Sequence, residues 1–380
     1  MAGRRLLFVV NDTEFFVSHR LPVAVAAQKA GFEIDLAALD TGGLDEVRAH
    51  GITYHPLAVD RTGLNPLRDF RLLCQLIRLI QAVRPTIMHT VTIKPVLYGG
   101  IAARLLRVPS LVSAVSGLGL VFVGGDRKTS SVRWVARALY RLALGHRNSC
   151  AIFQNPDDCR YIIDAGLTSS ERTVLIRSSG VDVAVFQPSP PPPGPPIAIM
   201  PARLLWPKGV GEFVEAARRL LQDGVAIRMA LVGKPAAHNP SSVMQSVIES
   251  WVDQGAIEWW GYQSDMAQVY ARSHIVCLPS FYGEGVPRVL IEAAACGRPI
   301  VTTDVPGCRE VVRHGENGLL VPPRAAKALA DALRTLAQDA GLRIEMGRRG
   351  RERAVAEFSL DRVVAATLAV YQRLSAAAEH

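Results

Sequence analysis

The densest concentration of residues suited to chemistry is Leu278-Pro279-Ser280-Phe281-Tyr282-Gly283-Glu284-Gly285-Val286-Pro287-Arg288-Val289-Leu290-Ile291-Glu292-Ala293. It reads as a strand, a glycine-bearing loop, and a helix opening near Val286-Pro287, where proline suits the first turn. Gly285 lets backbone approach a ligand closely, and free N–H groups there favour anionic oxygen. Glu284 falls in the loop, and Glu292 follows about two helical turns into the helix. Each carboxylate accepts two hydrogen bonds, as vicinal sugar hydroxyls require. Two glutamates at this spacing mean little alone. The flanking strand, glycines and proline set them apart from a loop carboxylate and a solvated helix carboxylate.

A second constellation is Pro201-Ala202-Arg203-Leu204-Leu205-Trp206-Pro207-Lys208-Gly209. Arg203 follows a strand and Lys208 precedes a helix, so the spacing directs both cations toward one cleft. There they would neutralise a diphosphate leaving group as its bond to a sugar breaks. On spacing alone, surface salt bridges fit the two equally well.

The elements that must position these residues repeat one theme. Short apolar runs at Leu6–Val10, Glu33–Ala38, Thr86–Thr90, Leu111–Val115 and Ala151–Gln154 alternate with helical patterns, including an amphipathic Pro66–Val83 stopped by Arg84-Pro85. That alternation implies a parallel sheet covered on both faces. The run Pro188-Ser189-Pro190-Pro191-Pro192-Pro193-Gly194-Pro195-Pro196 has few backbone donors and reads as an extended linker. After it the alternation restarts, with strands at Ile197–Pro201, Arg228–Gly233, Ile257–Gly261, Ile275–Pro279 and Pro299–Thr303. A helix over Val286–Cys296 and a closing helix over Val363–Ala377 belong to the same pattern. The expected organisation is an N-terminal domain over 1–187, a linker over 188–196 and a second domain over 197–362, with the terminal helix 363–380 returning to the first. Doubly wound sheets bind ligands at their carboxyl ends.

The bulk numbers agree. The 380 residues suffice for two cores, and 49% hydrophobic with 20% charged is globular composition. No apolar run reaches the roughly 18 residues that cross a bilayer, and Leu6–Val10 is too short for a signal peptide, which favours a first buried strand. Cys74, Cys150, Cys159, Cys277, Cys296 and Cys308 form no C-x-x-C pair, which fits a reduced cytosolic protein without a zinc site. The net charge of +9 is uneven, because residues 61–150 hold fourteen Lys and Arg against only Asp69 and Asp126. Nucleic acid, an anionic membrane, phosphorylated substrates or plain solvation are all compatible with that charge. Within it, residues 130–144 set Arg133, Arg137 and Arg141 in one stripe and Val135, Ala138, Leu139 and Leu142 in another, with Trp134 and Tyr140 suited to headgroup level. An ordinary domain helix with a basic edge has the same pattern, but the surrounding positive charge tilts the expectation toward an anionic membrane surface met through residues 130–144.

The block from Arg203 to Val321 resembles glycosyltransferase family 4. Its E-x7-E signature falls on Glu284 and Glu292, and its diphosphate pair on Arg203 and Lys208. Gly307, Glu310, Gly315, Asn317, Gly318, Leu319 and Val321 match the segment that follows. The resemblance implies an α/β protein of the GT-B fold, with two Rossmann-like doubly wound parallel-sheet domains facing across a cleft. It implies a retaining, metal-independent transferase with no cofactor beyond its nucleotide-sugar donor. By the same resemblance Glu284 contacts sugar hydroxyls and Glu292 the ribose. Gly285, Val286, Pro287, Arg288 and Val289 line the sugar–phosphate pocket, and Tyr262 lies near the base.

In the first domain Ser18-His19-Arg20, Arg61…Asn65-Pro66, Lys94-Pro95…Tyr98-Gly99 and Ser116-Gly117-Leu118-Gly119…Phe122 are similar to one subgroup of that family. Its members extend undecaprenyl-diphosphate-linked glycans. The resemblance therefore implies a UDP-sugar donor, a lipid-diphosphate-linked acceptor, and a cytoplasmic protein peripheral on the inner face of the membrane. His19, Arg20, Lys94, Ser116 and His89 are the acceptor-side candidates. Two positions depart from the family. Asn11-Asp12-Thr13-Glu14 stands where many members carry Gly-Gly, and Ser116 stands where many carry a histidine, with His89 and His19 as substitutes.

Competing classes have weaker support. No G-x-G-x-x-G opens a helix after Val10, which disfavours dinucleotide chemistry. A nucleotide-sugar epimerase or hydrolase on a similar scaffold, or a transferase using a soluble acceptor, is the alternative. Phe70, Tyr98, Phe122, Trp134 and Tyr140 are too dispersed for a stacking track on nucleic acid.

Overall fold

The computed structural model describes residues 4–59, 65–117, 130–236, 239–281 and 285–378. Its contacts divide the chain between Gly180 and Val181 and again between Ser359 and Leu360. The first break precedes the proline run expected to be the linker, so residues 188–196 lie inside the second unit. Phe186 explains the placement, because it is buried in that unit's core. The terminal helix, Leu360–Ala378, returns to the first unit.

The first unit is a seven-stranded sheet in the order β3-β2-β1-β4-β5-β6-β7. Its strands are β1 Arg4–Asp12, β2 Phe32–Leu39, β3 Thr53–Pro56, β4 Ile87–Val91, β5 Ser110–Val115, β6 Ser149–Phe153 and β7 Thr173–Leu175. All pairings are parallel. Every residue of β4 and β5 is buried, as a sheet covered on both faces requires. One face packs on Leu21–Lys29 and the terminal helix, where Val363, Val370, Tyr371 and Leu374 join the core. The other packs on Pro66–Val83, which Asn65 caps by accepting from the N–H groups of Leu67 and Arg68.

The carboxyl end of β1 runs directly into a helix. Asp12 caps a helix, Thr13–His19, by accepting from Phe15 N at 2.8 Å. Thr13 Oγ1 donates to the Gly42 carbonyl at 2.6 Å and accepts from Thr41 N at 3.0 Å. The residues standing in place of Gly-Gly thus tie the ends of β1 and β2 together.

The second unit is a six-stranded parallel sheet in the order β10-β9-β8-β11-β12-β13. Its strands are β8 Ile197–Pro201, β9 Arg228–Val232, β10 Glu258–Trp259, β11 Ile275–Leu278, β12 Ile300–Thr303 and β13 Gly318–Val321. The order reverses between β8 and β11, which is where doubly wound sheets open a crevice at the strand ends. Both critical segments of the sequence leave the sheet at that point. Gly209, at φ +85°, ends the turn Trp206–Lys208, and a Cβ there would lie 2.2 Å from the Pro279 carbonyl oxygen.

Gly209→Ala adds left-handed strain and a backbone collision at once, and should destabilise the second unit by about 3 kcal/mol or more. Urea unfolding followed by tryptophan fluorescence measures this, since Trp206, Trp251, Trp259 and Trp260 all lie in that unit. An unchanged midpoint would contradict the close approach.

Candidate active site

In the second unit the turn after β8 is fastened to the exit of β11. The Pro207 carbonyl accepts from Phe281 N at 3.1 Å and from Ser280 Oγ at 3.3 Å. Trp206 packs edge-on to Trp251 with centroids 6.0 Å apart, and its backbone N–H donates to the Ser241 carbonyl. Arg203 is exposed and Lys208 half-buried, five residues apart on this braced turn. The structure therefore brings Arg203, Lys208 and the β11 exit to one switch point.

Glu284 lies outside the described residues. Beyond it, Gly285 and Arg288 are half-buried, Val286 and Pro287 are buried, and the helix runs Arg288–Ala295 with Pro287 at its N-cap. Glu292 sits on the buried face of that helix, 6% exposed. Arg288 Nε donates to Glu292 Oε1 at 2.8 Å, and Tyr270 Oη donates to Oε2 at 3.0 Å. Burial raises the Glu292 pKa despite the opposing pull of Arg288 and Tyr270. The Arg288 side chain thus serves Glu292, whatever its backbone does for a ligand.

Three residues of this unit, Lys234, Arg324 and Tyr270, carry little or no signal in the sequence. Tyr262 is exposed with Lys234 Nζ 4.8 Å above its ring, and Lys234 directly follows Gly233 at the end of β9. Arg324, left-handed at φ +58° and just past β13, stacks its guanidinium 4.5 Å from the Phe281 ring. Both cations follow strand ends, the one local signal that could have flagged them. Tyr270 gave no signal, because it meets Glu292 only through packing of two separate helices.

In the first unit the structure separates the acceptor-side candidates. His89 and Arg20 are buried and line one cavity, with Tyr371 Oη 2.6 Å from His89 Nδ1. Lys94 instead pairs with Asp69 at 2.7 Å, both side chains largely enclosed. His19 stacks on Phe15 at 4.3 Å, with Ser18 Oγ 2.7 Å from its Nδ1. Ser116 is half-buried just past β5. Among the described residues no three His, Cys, Asp or Glu side chains gather as metal ligands.

The amphipathic helix spans Ser130–Leu144, and the side chains of Arg133 and Trp134 lie outside the described residues. Tyr140, expected at headgroup level, is instead buried in the core with Val96, Phe153 and Ile162. It falls on the same face as Ala143 and Leu144, which pack inward with it. Val135 and Leu142 are each 49% exposed, beside exposed Arg137 and Arg141.

Residues 5–155 match the family model described as glycosyl transferase 4-like, and residues 195–339 match that of the glycosyl transferases group 1. The chain belongs to the family 4 glycosyltransferases. It is 27% identical to the N,N'-diacetylbacillosaminyl-diphospho-undecaprenol alpha-1,3-N-acetylgalactosaminyltransferase of Campylobacter jejuni, over 97% of this chain and 99% of the other. It is also 27% identical to alpha-maltose-1-phosphate synthase of Mycolicibacterium smegmatis, over 77% and 80% of the two chains. Among solved structures, Anabaena HepE in complex with UDP superposes with a TM-score of 0.76 at 19% identity, covering 97% of this chain and all of that one. Sucrose-phosphate synthase from Thermosynechococcus elongatus gives 0.79 at 20% identity, over 98% and 100%. The fold of this glycosyltransferase is GT-B, with a Rossmann-like sheet of seven strands and another of six.

Because the Glu292 pKa is raised on folding, its contribution favours the folded state below the unfolded carboxylate value. That contribution is lost as pH rises through the folded value. The stability difference between wild type and Glu292→Gln should therefore move in favour of the variant as pH climbs from about 4. Urea titrations of both proteins from about pH 4 to about pH 8 measure it, and a difference independent of pH would contradict the buried carboxylate.

Proposed function

We propose that this glycosyltransferase moves a hexose or N-acetylhexosamine from a UDP-sugar to an undecaprenyl-diphosphate-linked glycan, with retention at the anomeric carbon and without a metal ion. The observation that carries the reading is the full-length correspondence to a transferase whose name specifies such an acceptor. The UDP bound by HepE supports the donor class. In the reaction the bond from C1 to the diphosphate oxygen breaks and a bond from C1 to the acceptor oxygen forms on the same face. The departing diphosphate takes the acceptor's proton, so no strong general base is needed.

The work of the protein is then electrostatic. Arg203 and Lys208 offset the charge that grows on the diphosphate, helped by the amide end of the helix Arg288–Ala295. Glu284 reads sugar hydroxyls. Glu292 reads the ribose, since each of its oxygens keeps a second acceptor position beside the hydrogen bond it already receives. Gly285, Val286, Pro287, Arg288 and Val289 line the pocket, with Tyr262 near the base. Asp-x-Asp, the usual means of holding a diphosphate through a metal, does not occur in the sequence. The first unit receives the acceptor, and Arg137, Arg141, Val135 and Leu142 form a basic, partly apolar face suited to the cytoplasmic surface of a membrane.

Calorimetry with UDP-, GDP- and ADP-sugars should give binding with the UDP series alone. Glu284→Gln should reduce turnover more than UDP affinity, and Glu292→Gln should weaken UDP itself, each by about 1.5–3 kcal/mol. Wild-type behaviour in both variants, or activity abolished by EDTA and restored by Mn²⁺, would overturn the assignment. Separately, the protein should cosediment with anionic liposomes at low salt, and replacing Arg133, Arg137 and Arg141 with Gln should release it. Equal sedimentation of the triple variant would remove this helix as the docking element.

A further inference from the structure

The first unit contains a buried cation without a counter-ion. Arg20 is 5% exposed, and no carboxylate pairs with it among the described residues. Its Nε–H has no hydrogen-bond partner. Burial of the charge pulls its pKa down to about 10. Holding a guanidinium in this way costs several kcal/mol unless something offsets the charge.

The surroundings of Arg20 form a cavity. It measures about 10 Å³, room for roughly one water-sized atom. Arg20, His89, Val115, Gln154, Ser178 and Thr367 are among its lining residues. Val115, Gln154 and Ser178 lie at or just past the carboxyl ends of β5, β6 and β7, the edge of the sheet where ligands of such folds bind.

Hydrogen bonding assigns the proton on His89. Tyr371 Oη lies 2.6 Å from His89 Nδ1, its one polar partner among the described residues. A buried hydroxyl with that single acceptor donates to it, which leaves the ring proton on Nε2. Nε2 is buried and has no partner. Arg20 and His89, which both line the cavity, therefore carry two unanswered N–H donors, one of them charged.

Ser178 adds a third sign. It is not glycine, yet it adopts φ +69°, and the adjacent Ser179 Oγ is buried without a partner. Strain and unsatisfied polar groups at one strand end mark a site completed by something else. Water would answer the two donors and leave the Arg20 charge uncompensated. An anionic oxygen answers both.

We propose that Arg20 and the Nε2–H of His89 receive one anionic oxygen of the acceptor's diphosphate. This rests on the reading of the acceptor as a prenyl-diphosphate-linked glycan. It is distinct from the donor's diphosphate, whose cations Arg203 and Lys208 belong to the second unit. One oxygen enters the cavity while the rest of the group stays outside it, consistent with the small volume.

The test uses the full chain with UDP at saturation, so that the donor position is occupied. Inorganic pyrophosphate and a short prenyl diphosphate are then titrated by calorimetry, with the His89 ring nitrogens followed by ¹⁵N NMR. Both probes should bind with UDP present and shift the Nε2 resonance. Arg20→Gln should weaken both by roughly tenfold or more while leaving UDP affinity unchanged, and Arg20→Lys should fall between. Equal binding by Arg20→Gln would overturn the proposal, as would an unmoved His89 resonance in the wild type, a readout that stands even if the variant fails to fold. Binding of pyrophosphate without the prenyl diphosphate would overturn the acceptor assignment. A chain that ignores UDP yet gives the pyrophosphate response would remove the donor reading and leave the pocket standing.

Discussion

The Pro207 carbonyl accepts from both Ser280 Oγ and Phe281 N, and Gly209 permits the contact by leaving no Cβ against the Pro279 oxygen. This junction locks the turn bearing Arg203 and Lys208 to the strand exit that leads toward Glu284. Apart from the single 3-10 turn Trp206–Lys208, neither segment has helix or strand there to hold it. The proposed diphosphate site needs cations fixed before charge develops, because moving them during the reaction would forfeit much of their benefit. Gly233 supports the same region, since a Cβ on it would collide with the Ala202 oxygen just before Arg203. Two glycines and one doubly used carbonyl thus join the loops at the β8–β11 switch point, alongside the contacts of Trp206 with Ser241 and Trp251.

Glu292 shows a different balance. Its carboxylate receives a guanidinium N–H and a phenol O–H, both of which favour the charged form, and burial still wins. A carboxylate in that position is poorly optimised for stability alone. Tyr270, fully buried, shares its one O–H between Glu292 and the Val289 carbonyl at 3.1 Å, so it ties the carboxylate to the first turn of its helix. The residue that positions the glutamate therefore comes from outside the motif that announces it.

What could be read from the sequence follows from this. Buried parallel strands announce themselves as continuous apolar runs, and the switch-point segments carry glycine and proline at fixed offsets, so the fold class was legible, as was the placement of Arg203 past a strand, Lys208 before a helix and Glu292 on one. The helix Thr13–His19 was not, because its cap, Asp12, resembles a loop residue until its partner N–H is known. Tyr140 misled because a helix with apolar residues on two faces does not say which one meets the core. The pairings Lys94–Asp69 and His89–Tyr371 join residues 25 and 282 positions apart, and no local pattern encodes such contacts.

These long-range pairings also sort the candidates in the first unit. Lys94 has a carboxylate at 2.7 Å, which answers its charge within the fold and leaves it little to offer a ligand. Arg20 has no such answer, although it is no less enclosed. Thr92, β-branched and at φ +75°, sits just past β4, as Ser178 sits just past β7. Each such residue costs of order 1–3 kcal/mol, and Thr92 Oγ1, like Ser179 Oγ, is buried without a partner. Folding alone gains nothing from collecting strain, orphaned hydroxyls and an unpaired charge along one edge of a sheet. A site completed by an anionic ligand accounts for the uncompensated charge, and the strain then reads as backbone held in the shape that ligand requires.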